Sequence, residues 1–396
     1  MNNYQKSLDL HEKWQGKLEI ALKAPINNSE DLSQAYSPGV AGPCVEIAKD
    51  RELIYKYTMK GNTVAVISNG TAVLGLGDIG PEAAIPVMEG KSALFKRFAG
   101  IDSVPLCLDT RDAEDFIRTV KNLAPVFGGI NLEDIATPDC FYIEERLKEE
   151  LDIPVFHDDQ HGTAIVVAAA LLNAGKLVDK EISEMKIVIN GAGAAGIAVA
   201  KLLHSFQVKE IIVCDTKGAI YKDRPLGMNA LKDVLAEFTN LQRKQGDLSD
   251  VIQGANVFIG VSAAGALTTQ MIESMDKDPI VFALANPIPE IMPEVAKLAG
   301  ARVIGTGRSD YPNQINNLLA FPGIFKGALK VRASQINEDM KIEAAKAIAS
   351  LVSIDELSEE YVVPNPFDSR VVANVAQAVA LSACQSGKAL LCEVAL

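Results

Sequence analysis

No apolar run in this 396-residue chain can cross a bilayer. The longest, Ala164 to Leu172 (AIVVAAALL), falls far short of the roughly 20 residues a membrane helix needs. The N-terminus, MNNYQKSLDLHEKW, lacks the basic segment, apolar stretch and small-residue cleavage site of a secretory leader, and it is too acidic for a transit peptide. A cytoplasmic protein is the expectation. Cysteine never occurs as C-x-x-C, and several of the six sit inside apolar segments such as IIVCD and VPLCL, which predicts reduced, mostly buried thiols. Positive charge is in deficit: 38 Lys and Arg against 51 Asp and Glu leave a formal charge of −13. The resulting field repels phosphate backbones and anionic lipid, so neither nucleic acid nor a membrane surface is expected as a partner. Fixed-period repeats and low-complexity tracts are missing, and with 48% hydrophobic and 22% charged residues the chain reads as globular. Its length allows two or three domains, each with its own core.

Along the chain, a short helix is predicted before Trp14, then an extended KLEIALK segment and a Pro- and Gly-rich loop around SPGVAGP. NTVAVIS and TAVLGLG are short β-branched runs separated by Asn69-Gly70, a dipeptide that favours a hairpin turn. SVPLCLD, PVFGGINLED and IPVFHDD then alternate with segments of helical period, DAEDFIRTVKNLA and PDCFYIEERLKEEL, as crossover α/β units do. After the helical stretch GTAIVVAAALLNAGKLV, the strand-like runs KIVIN, EIIVCD, ANVFIGV, PIVFALA and ARVIGTG recur with helices or loops between them. That pattern predicts a doubly wound parallel sheet of Rossmann type following an N-terminal α/β domain, with helices over the last 70 residues. The boundary is placed near residue 162, giving domains 1–161 and 162–396.

Gly191, Gly193 and Gly196 in GAGAAG follow a strand, open a helix and precede an acidic strand end at Asp215. A dinucleotide site needs a tight turn at the first glycine, close backbone approach to pyrophosphate at the second and close helix packing at the third. Gly191, Ala192, Gly193, Ala194, Ala195 and Gly196 are therefore expected at the phosphates, on a helix N-terminus that attracts anions. Asp215 is expected to bind the adenosine ribose, which favours NAD, while Lys217, Lys222 and Arg224 lie close enough in sequence to accommodate NADP.

Carboxylates end two strands: Glu133 and Asp134 follow VFGGIN, and Asp158 and Asp159 follow IPVF. If these strands are parallel neighbours, all four acids converge at one sheet edge, where their mutual repulsion calls for raised pKa values or a cation. Oxygen-only ligands suit Mg²⁺ or Mn²⁺. Acids also cap helices, so on the residue pattern alone that reading stands beside the metal site. His157 and His161, four apart in HDDQH, resemble a zinc helix only superficially, because Pro154 and Val155 place His157 at a strand end and no third ligand is evident. Local hydrogen bonding is the expected role of both.

Taken together, AYSPGVA around Tyr36, NGTAVLGLGDIGPEAAIPVMEGKSALFKRFAGID around Lys91, INLEDI, FHDDQHGTA, GAGAAG, ANPIPE and the pair Asn316-Asn317 span nearly the whole chain. In that order they resemble the malic enzymes of the compact bacterial type. The resemblance implies oxidative decarboxylation of L-malate to pyruvate and CO₂ with NAD(P)⁺ and Mn²⁺ or Mg²⁺, in a homodimer. By position it implies Glu133, Asp134 and Asp159 as metal ligands, Lys91 as base, Asp158 orienting that lysine, and Tyr36 as the acid that protonates the enol of pyruvate. It further implies that Lys91, Asn286 and Asn317 contact the substrate, with Asn286 also near nicotinamide. One departure stands out: Ala72 occupies the place of an arginine found in the eukaryotic branch, leaving Lys91 or a neighbouring subunit to hold the malate carboxylate.

For this chemistry Lys91 must be neutral near pH 7, so its pKa is expected below the ordinary 10.4 or so of lysine. A malolactic-type or oxaloacetate decarboxylase on the same scaffold is the nearest alternative, and a non-catalytic dinucleotide sensor is an alternative of another class.

Overall fold

A computed structural model describes residues 3–394. Four short strands rich in β-branched and aromatic residues form the first sheet: Thr63–Ser68 (β1), Asp102–Cys107 (β2), Gly129–Leu132 (β3) and Val155–His157 (β4). All pair in parallel in the order β2-β1-β3-β4. Parallel pairing requires a crossover between successive strands, supplied here by helices such as Ala113–Leu123 and Asp139–Glu150. Ala113–Leu123 is capped by the Asp112 side chain and turns Phe116, Ile117 and Val120 onto the sheet.

The hairpin expected at Asn69-Gly70 does not form. Both edges of β1 are taken by the parallel partners β2 and β3, so its backbone has no edge left for a returning strand. Residues 71–80 instead make a compact loop whose Ile79 and Gly80 N–H groups both bond the Gly70 carbonyl. The KLEIALK segment likewise joins no sheet; Lys17 is pinned to the helix Pro81–Leu94 through Glu89 and the Pro86 carbonyl.

The second sheet contains Lys186–Asn190 (β5), Glu210–Asp215 (β6), Gly218–Ala219 (β7), Val257–Gly260 (β8), Ile280–Ala283 (β9) and Val303–Thr306 (β10). Its order is β10-β9-β8-β5-β6-β7, and only the short β7 runs antiparallel. Strand order reverses between β5 and β8, the position where doubly wound sheets open a ligand crevice. The GAGAAG turn leaves β5 at that point.

One helix, Asp158–Leu177, begins at the end of β4 and runs through the centre of the molecule, with 14 of its 20 residues buried. The helices Ala194–Ser205 and Glu338–Ala349 pack along it, which is why its middle reads as a continuous apolar run instead of an amphipathic one. Across the first lobe, Phe95 packs edge-on against Phe321 and Phe325 at 4.8 and 5.3 Å between ring centres. These phenylalanines tie the end of the Pro81–Leu94 region to the helix Phe321–Lys330, so the C-terminal helices brace the first sheet as well as the second. The expected C-terminal helices are Phe321–Lys330, Glu338–Ala349 and Arg370–Gln385.

The N-terminal segment behaves differently. Helices Ser29–Ala35 and Ala41–Lys49 contain no buried residue, and Trp14, Ile20, Leu22, Leu32, Tyr36, Val40 and Val45 are all exposed. All six cysteines are free thiols, of which Cys44 and Cys392 are exposed and the rest buried or half-buried. Among the described residues no helix is long and apolar enough to cross a membrane.

Candidate active site

Because β3 and β4 are parallel neighbours with Leu132 beside His157, the residues that follow them emerge side by side. The chain turns sharply after β3, and Asp134 adopts a left-handed conformation (φ 53°) that a short polar side chain tolerates better than most. In that turn the Asp134 N–H donates to Asp159 Oδ2 at 2.8 Å. Glu133, Asp134 and Asp159 each bring one carboxylate oxygen within 4.8 Å of the others. The convergence expected from the strand ends is therefore present.

Lys91 sits against this cluster, on the last turns of the helix Pro81–Leu94. Its Nζ lies 2.5 Å from Asp158 Oδ2 and 2.9 Å from Glu133 Oε1, and it stacks 4.3 Å from the centre of the Phe321 ring. Lys91, Glu133, Asp134 and Asp158 are all buried, whereas Asp159 is half-buried and open to the cleft. Asn131, on β3, donates to Glu133 Oε2 at 2.8 Å and so fixes which oxygen faces Lys91.

Four carboxylates against one ammonium leave the cluster with an excess of negative charge in a low-dielectric setting. Burial, followed by repulsion from Asp159, pushes the Asp134 carboxyl up to about 7 despite the opposing pull of Lys91. Glu133 is raised well above the ordinary carboxylate range, by burial first. Burial alone would lower Lys91, but the charges of Asp158 and Glu133 outweigh it and hold the ammonium above its ordinary value. The expected downward shift of Lys91 is thus reversed, because its partners are carboxylates at contact distance.

Several buried acceptors here have no partner: Asp134 Oδ2, Asp158 Oδ1 and Asn131 Oδ1. Leaving such atoms unpaired is costly. A hard divalent cation fits that donor set, since it takes oxygen ligands and relieves the repulsion that raises these pKa values.

Gly162 explains how closely this wall is built. A Cβ there would collide with Asp158 Oδ1 and lie 2.8 Å from Asn317 Cβ, so glycine lets Asn317 close against the Asp158 turn. Asn317 opens the short turn Asn317–Leu319, next to Asn316, whose side chain caps it. Asn286 follows β9, and its carbonyl abuts Gly75 in the loop after β1, where a Cβ would lie only 2.8 Å away. The loops of the two lobes thus meet at Asn286. Glu290, fully buried, holds that loop by accepting the Ser262 and Ala285 N–H groups at 2.9 and 3.1 Å.

The glycine turn has the expected geometry. Gly191 takes φ 123° with the Val261 carbonyl 2.5 Å from where a Cβ would be, a Cβ at Gly196 would collide with the Gly191 carbonyl, and Gly193 faces open space. Helix Ala194–Ser205 starts without a side-chain cap, so its first N–H groups, including those of Ala194 and Ala195, remain available for phosphate. Ala192 lines the turn between the first two glycines. Lys201 of this helix lies over the Phe141 ring, which places the glycine turn beside the helix that follows the Glu133-Asp134 corner.

Asp215 ends β6 as expected, but its carboxylate is already engaged. Arg224 donates to both oxygens at 2.9 and 2.6 Å, Lys232 to Oδ2 at 2.6 Å and the Lys217 N–H to Oδ1 at 2.8 Å. Burial would raise its pKa, yet the hydrogen bonds from Arg224 and Lys232 hold it well below the usual range.

Two expected site residues fit less simply. The Tyr36 ring is 69% exposed and makes no hydrogen bond or ring contact with the cluster. The local hydrogen bonding expected of the histidines is not found: His161 bonds Glu144, 17 residues away on another helix, while both ring nitrogens of His157 are buried without a partner, one of them 3.8 Å from Asp159. Lys341 Nζ stands 3.1 Å from His161 Nδ1, so the two histidines do not form a zinc pair. Ala72 contributes only backbone, its N–H donating to the Asp134 carbonyl. Sequence reasoning missed Asn131, which acts on Glu133 two residues on, and Glu144, Lys232 and Glu290, whose partners include residues 13 to 28 positions away.

Comparison with known proteins agrees with this architecture. Residues 15–115 and 110–148 match the malic enzyme N-terminal domain, and residues 160–386 match the malic enzyme NAD binding domain. The chain is 63% identical to a bifunctional malic/malolactic enzyme of Bacillus subtilis, covering 98% of this chain and 95% of that one. It is 59% identical to a NAD-dependent malic enzyme of Geobacillus stearothermophilus, covering 94% and 78%. A crystal structure of malic enzyme from Pyrococcus horikoshii superposes with a TM-score of 0.94 at 50% identity, covering 98% and 92%. Relatives named as NADP-dependent occur at 50% identity.

Proposed function

The chain belongs to the malic enzyme family, and from that premise we propose that it oxidatively decarboxylates L-malate to pyruvate and CO₂ using NAD⁺ or NADP⁺. The observation that carries the site assignment is the convergence of Glu133, Asp134 and Asp159 beside the buried pair Lys91 and Asp158. The three carboxylates would hold Mn²⁺ or Mg²⁺, with the boundary between the two domains near residue 162, inside the helix Asp158–Leu177. When bound, the divalent cation supplies Lewis acidity at the C2 oxygen, which is what loss of CO₂ from a β-keto acid requires. The glycine turn Gly191–Gly196 would hold the dinucleotide, which would supply the hydride acceptor for C2.

The chain's own groups move the protons. Lys91 passes a proton to Asp158 across 2.5 Å and then accepts the one leaving the malate hydroxyl. A cation held by these acids would offset the upward pull of Glu133 and Asp159 on Lys91, leaving Asp158 as the charge that still opposes burial. Tyr36 returns a proton to C3, so the proton lost at oxygen is balanced by the one gained at carbon. Asn286 and Asn317 hold the substrate between the lobes.

Tyr36 must reach a cleft that its own ring does not touch. The exposed apolar side chains of the first 45 residues, Trp14, Ile20, Leu22, Leu32 and Val45 among them, support a homodimer in which this segment lies against the second copy and delivers Tyr36 there. Tyr36→Phe is expected to retain malate binding and lose pyruvate formation. Mixing it with Lys91→Ala before refolding restores activity that neither variant has alone if the tyrosine acts across the interface; no restoration places it within its own chain.

The engaged state of Asp215 bears on the cofactor. With both oxygens neutralised by Arg224 and Lys232, this acid does not repel a 2′-phosphate as a free carboxylate would, so NADP⁺ is accepted alongside NAD⁺. Arg224→Ala is expected to lower the ratio of kcat/KM for NADP⁺ to that for NAD⁺ by about tenfold or more. An unchanged ratio contradicts this assignment.

The metal also predicts a pH dependence. Burial and the repulsion of Asp159 push the Asp134 carboxyl up to about 7, and a cation binds the ionised carboxylate, so binding must displace a proton below that pH. Mn²⁺ affinity is expected to fall by at least about tenfold per pH unit below about 7, since Glu133, also raised, must give up its proton as well. A flat profile would exclude Asp134 as a ligand.

Initial rates of NADH and NADPH formation from malate, with pyruvate and lactate measured together, test the whole reading. Equimolar pyruvate and reduced cofactor support it. Lactate without released reduced cofactor points to the malolactic reaction, the second activity in the name of the Bacillus subtilis relative.

A further inference from the structure

Behind the carboxylate cluster, three helices meet through buried charged groups that the proton transfers above do not use. Glu144 lies on the inner face of the helix Asp139–Glu150 and is buried. Its Oε1 accepts the His157 N–H at 3.1 Å, both its oxygens lie 2.9 Å from His161 Nε2, and Lys148 Nζ approaches to 2.6 Å. Lys341, buried on the helix Glu338–Ala349, places its Nζ 3.1 Å from His161 Nδ1 and donates to Glu338 at 2.5 Å. An ammonium only donates, so His161 Nδ1 must accept and His161 Nε2 must carry the hydrogen given to Glu144. The tautomer is therefore set from both sides.

This arrangement sits where aim matters. The proposed ligands come from two segments: Glu133 and Asp134 from the end of β3, Asp159 from the first turn of the helix Asp158–Leu177. That helix has no side-chain cap at His157; Glu144 takes the His157 N–H in its stead. His161 is three residues beyond Asp158, hence on neighbouring positions of the same helical surface, so pinning His161 restricts rotation of the turn that carries Asp158 and Asp159. Glu144 belongs to the segment after β3, so it spans the two sources of ligands.

We propose that Glu144 is a positioning residue which, through His161 and Lys341, holds the first turn of the helix Asp158–Leu177 so that Asp159 completes the cation site and Asp158 meets Lys91. The assignment rests on the metal reading above. It accounts for two buried charges, Glu144 and Lys341, with the half-buried His161 between them, at a place where apolar residues would pack at no desolvation cost. Glu144→Gln preserves volume and an acceptor for the His157 N–H but removes the charge that opposes Lys148 and Lys341. Lys341→Met removes the contact on the far side of His161 without touching the sheet.

The test is Mn²⁺ binding to the full chain, read as free Mn²⁺ by electron paramagnetic resonance, beside NADH binding read by fluorescence without metal. Glu144→Gln is expected to weaken Mn²⁺ binding by about tenfold or more, the scale of losses when a ligand's supporting partner is removed. Lys341→Met is expected to move Mn²⁺ affinity in the same direction, while NADH affinity in both stays within about twofold of the unmodified protein. Mn²⁺ affinity unchanged in the folded variants overturns the proposal, and so does parallel weakening of Mn²⁺ and NADH, which marks general destabilisation. Should Glu144→Gln fail to fold by circular dichroism, Lys341→Met decides on the same criteria. An unmodified chain that binds no Mn²⁺ rejects the metal reading itself, a result distinct from either.

Discussion

Lys91→Ala is expected to lower kcat for malate oxidation by about 10²- to 10⁴-fold, the range assigned to a positioned general base. The alanine variant removes the single cation among four carboxylates, so Glu133 and Asp158 lose the group that favours their ionised forms. A divalent cation then becomes the main neutralising charge available to them. Mn²⁺ binding above neutral pH is therefore expected to persist or tighten while turnover collapses. A lysine that merely neutralised the acids would show the opposite pattern, with turnover largely recovered at saturating metal. Lys91→Arg sharpens the distinction, because a guanidinium keeps the positive charge but cannot surrender its proton near neutral pH. Its activity should be as low as that of the alanine variant, measured by reduced-cofactor formation at saturating malate.

Asp159→Asn is expected to raise the Mn²⁺ concentration for half-maximal activity by about 10- to 100-fold or more. The amide is the same size, and its oxygen can still accept the Asp134 N–H that now bonds Asp159 Oδ2 at 2.8 Å. What it loses is a negative charge at the open side of the cluster, where Asp159 is only half-buried. If Asp159 served only the helix N-terminus, its loss would cost about 1 kcal/mol of stability and leave the metal requirement unchanged. Metal titrations and thermal melts on one preparation separate the two roles.

Much of this site could be read from the residues because its logic is local. The glycine turn declares itself through spacing, and the acids at 133, 134, 158 and 159 declare themselves through their places at strand ends, since parallel neighbours bring successive strand ends together. Where the reading failed, a distant partner decided the outcome. Asn69-Gly70 carries a strong hairpin signal, but the edges of β1 were claimed by β2 and β3, paired at separations of 39 and 65 residues, leaving the following segment to form a loop. The shift of Lys91 ran opposite to expectation because its direction depends on contact with Asp158, 67 residues distant. Asp215 looked like a free ribose acceptor until Arg224 and Lys232 folded back onto it. Glu144 and Glu290 gave no signal at all, since a buried glutamate and an exposed one look alike until the helices pack.

Equilibrium dialysis of the full chain against Mn²⁺ at about pH 7.5, with malate and dinucleotide absent, tests the central claim most directly. One ion per chain is predicted, displaced by excess Mg²⁺ and weakened when Glu133, Asp134 or Asp159 is replaced by its amide. A chain that binds no Mn²⁺ saturably, or binds it equally well in all three amide variants, would contradict the claim that these carboxylates form one metal site.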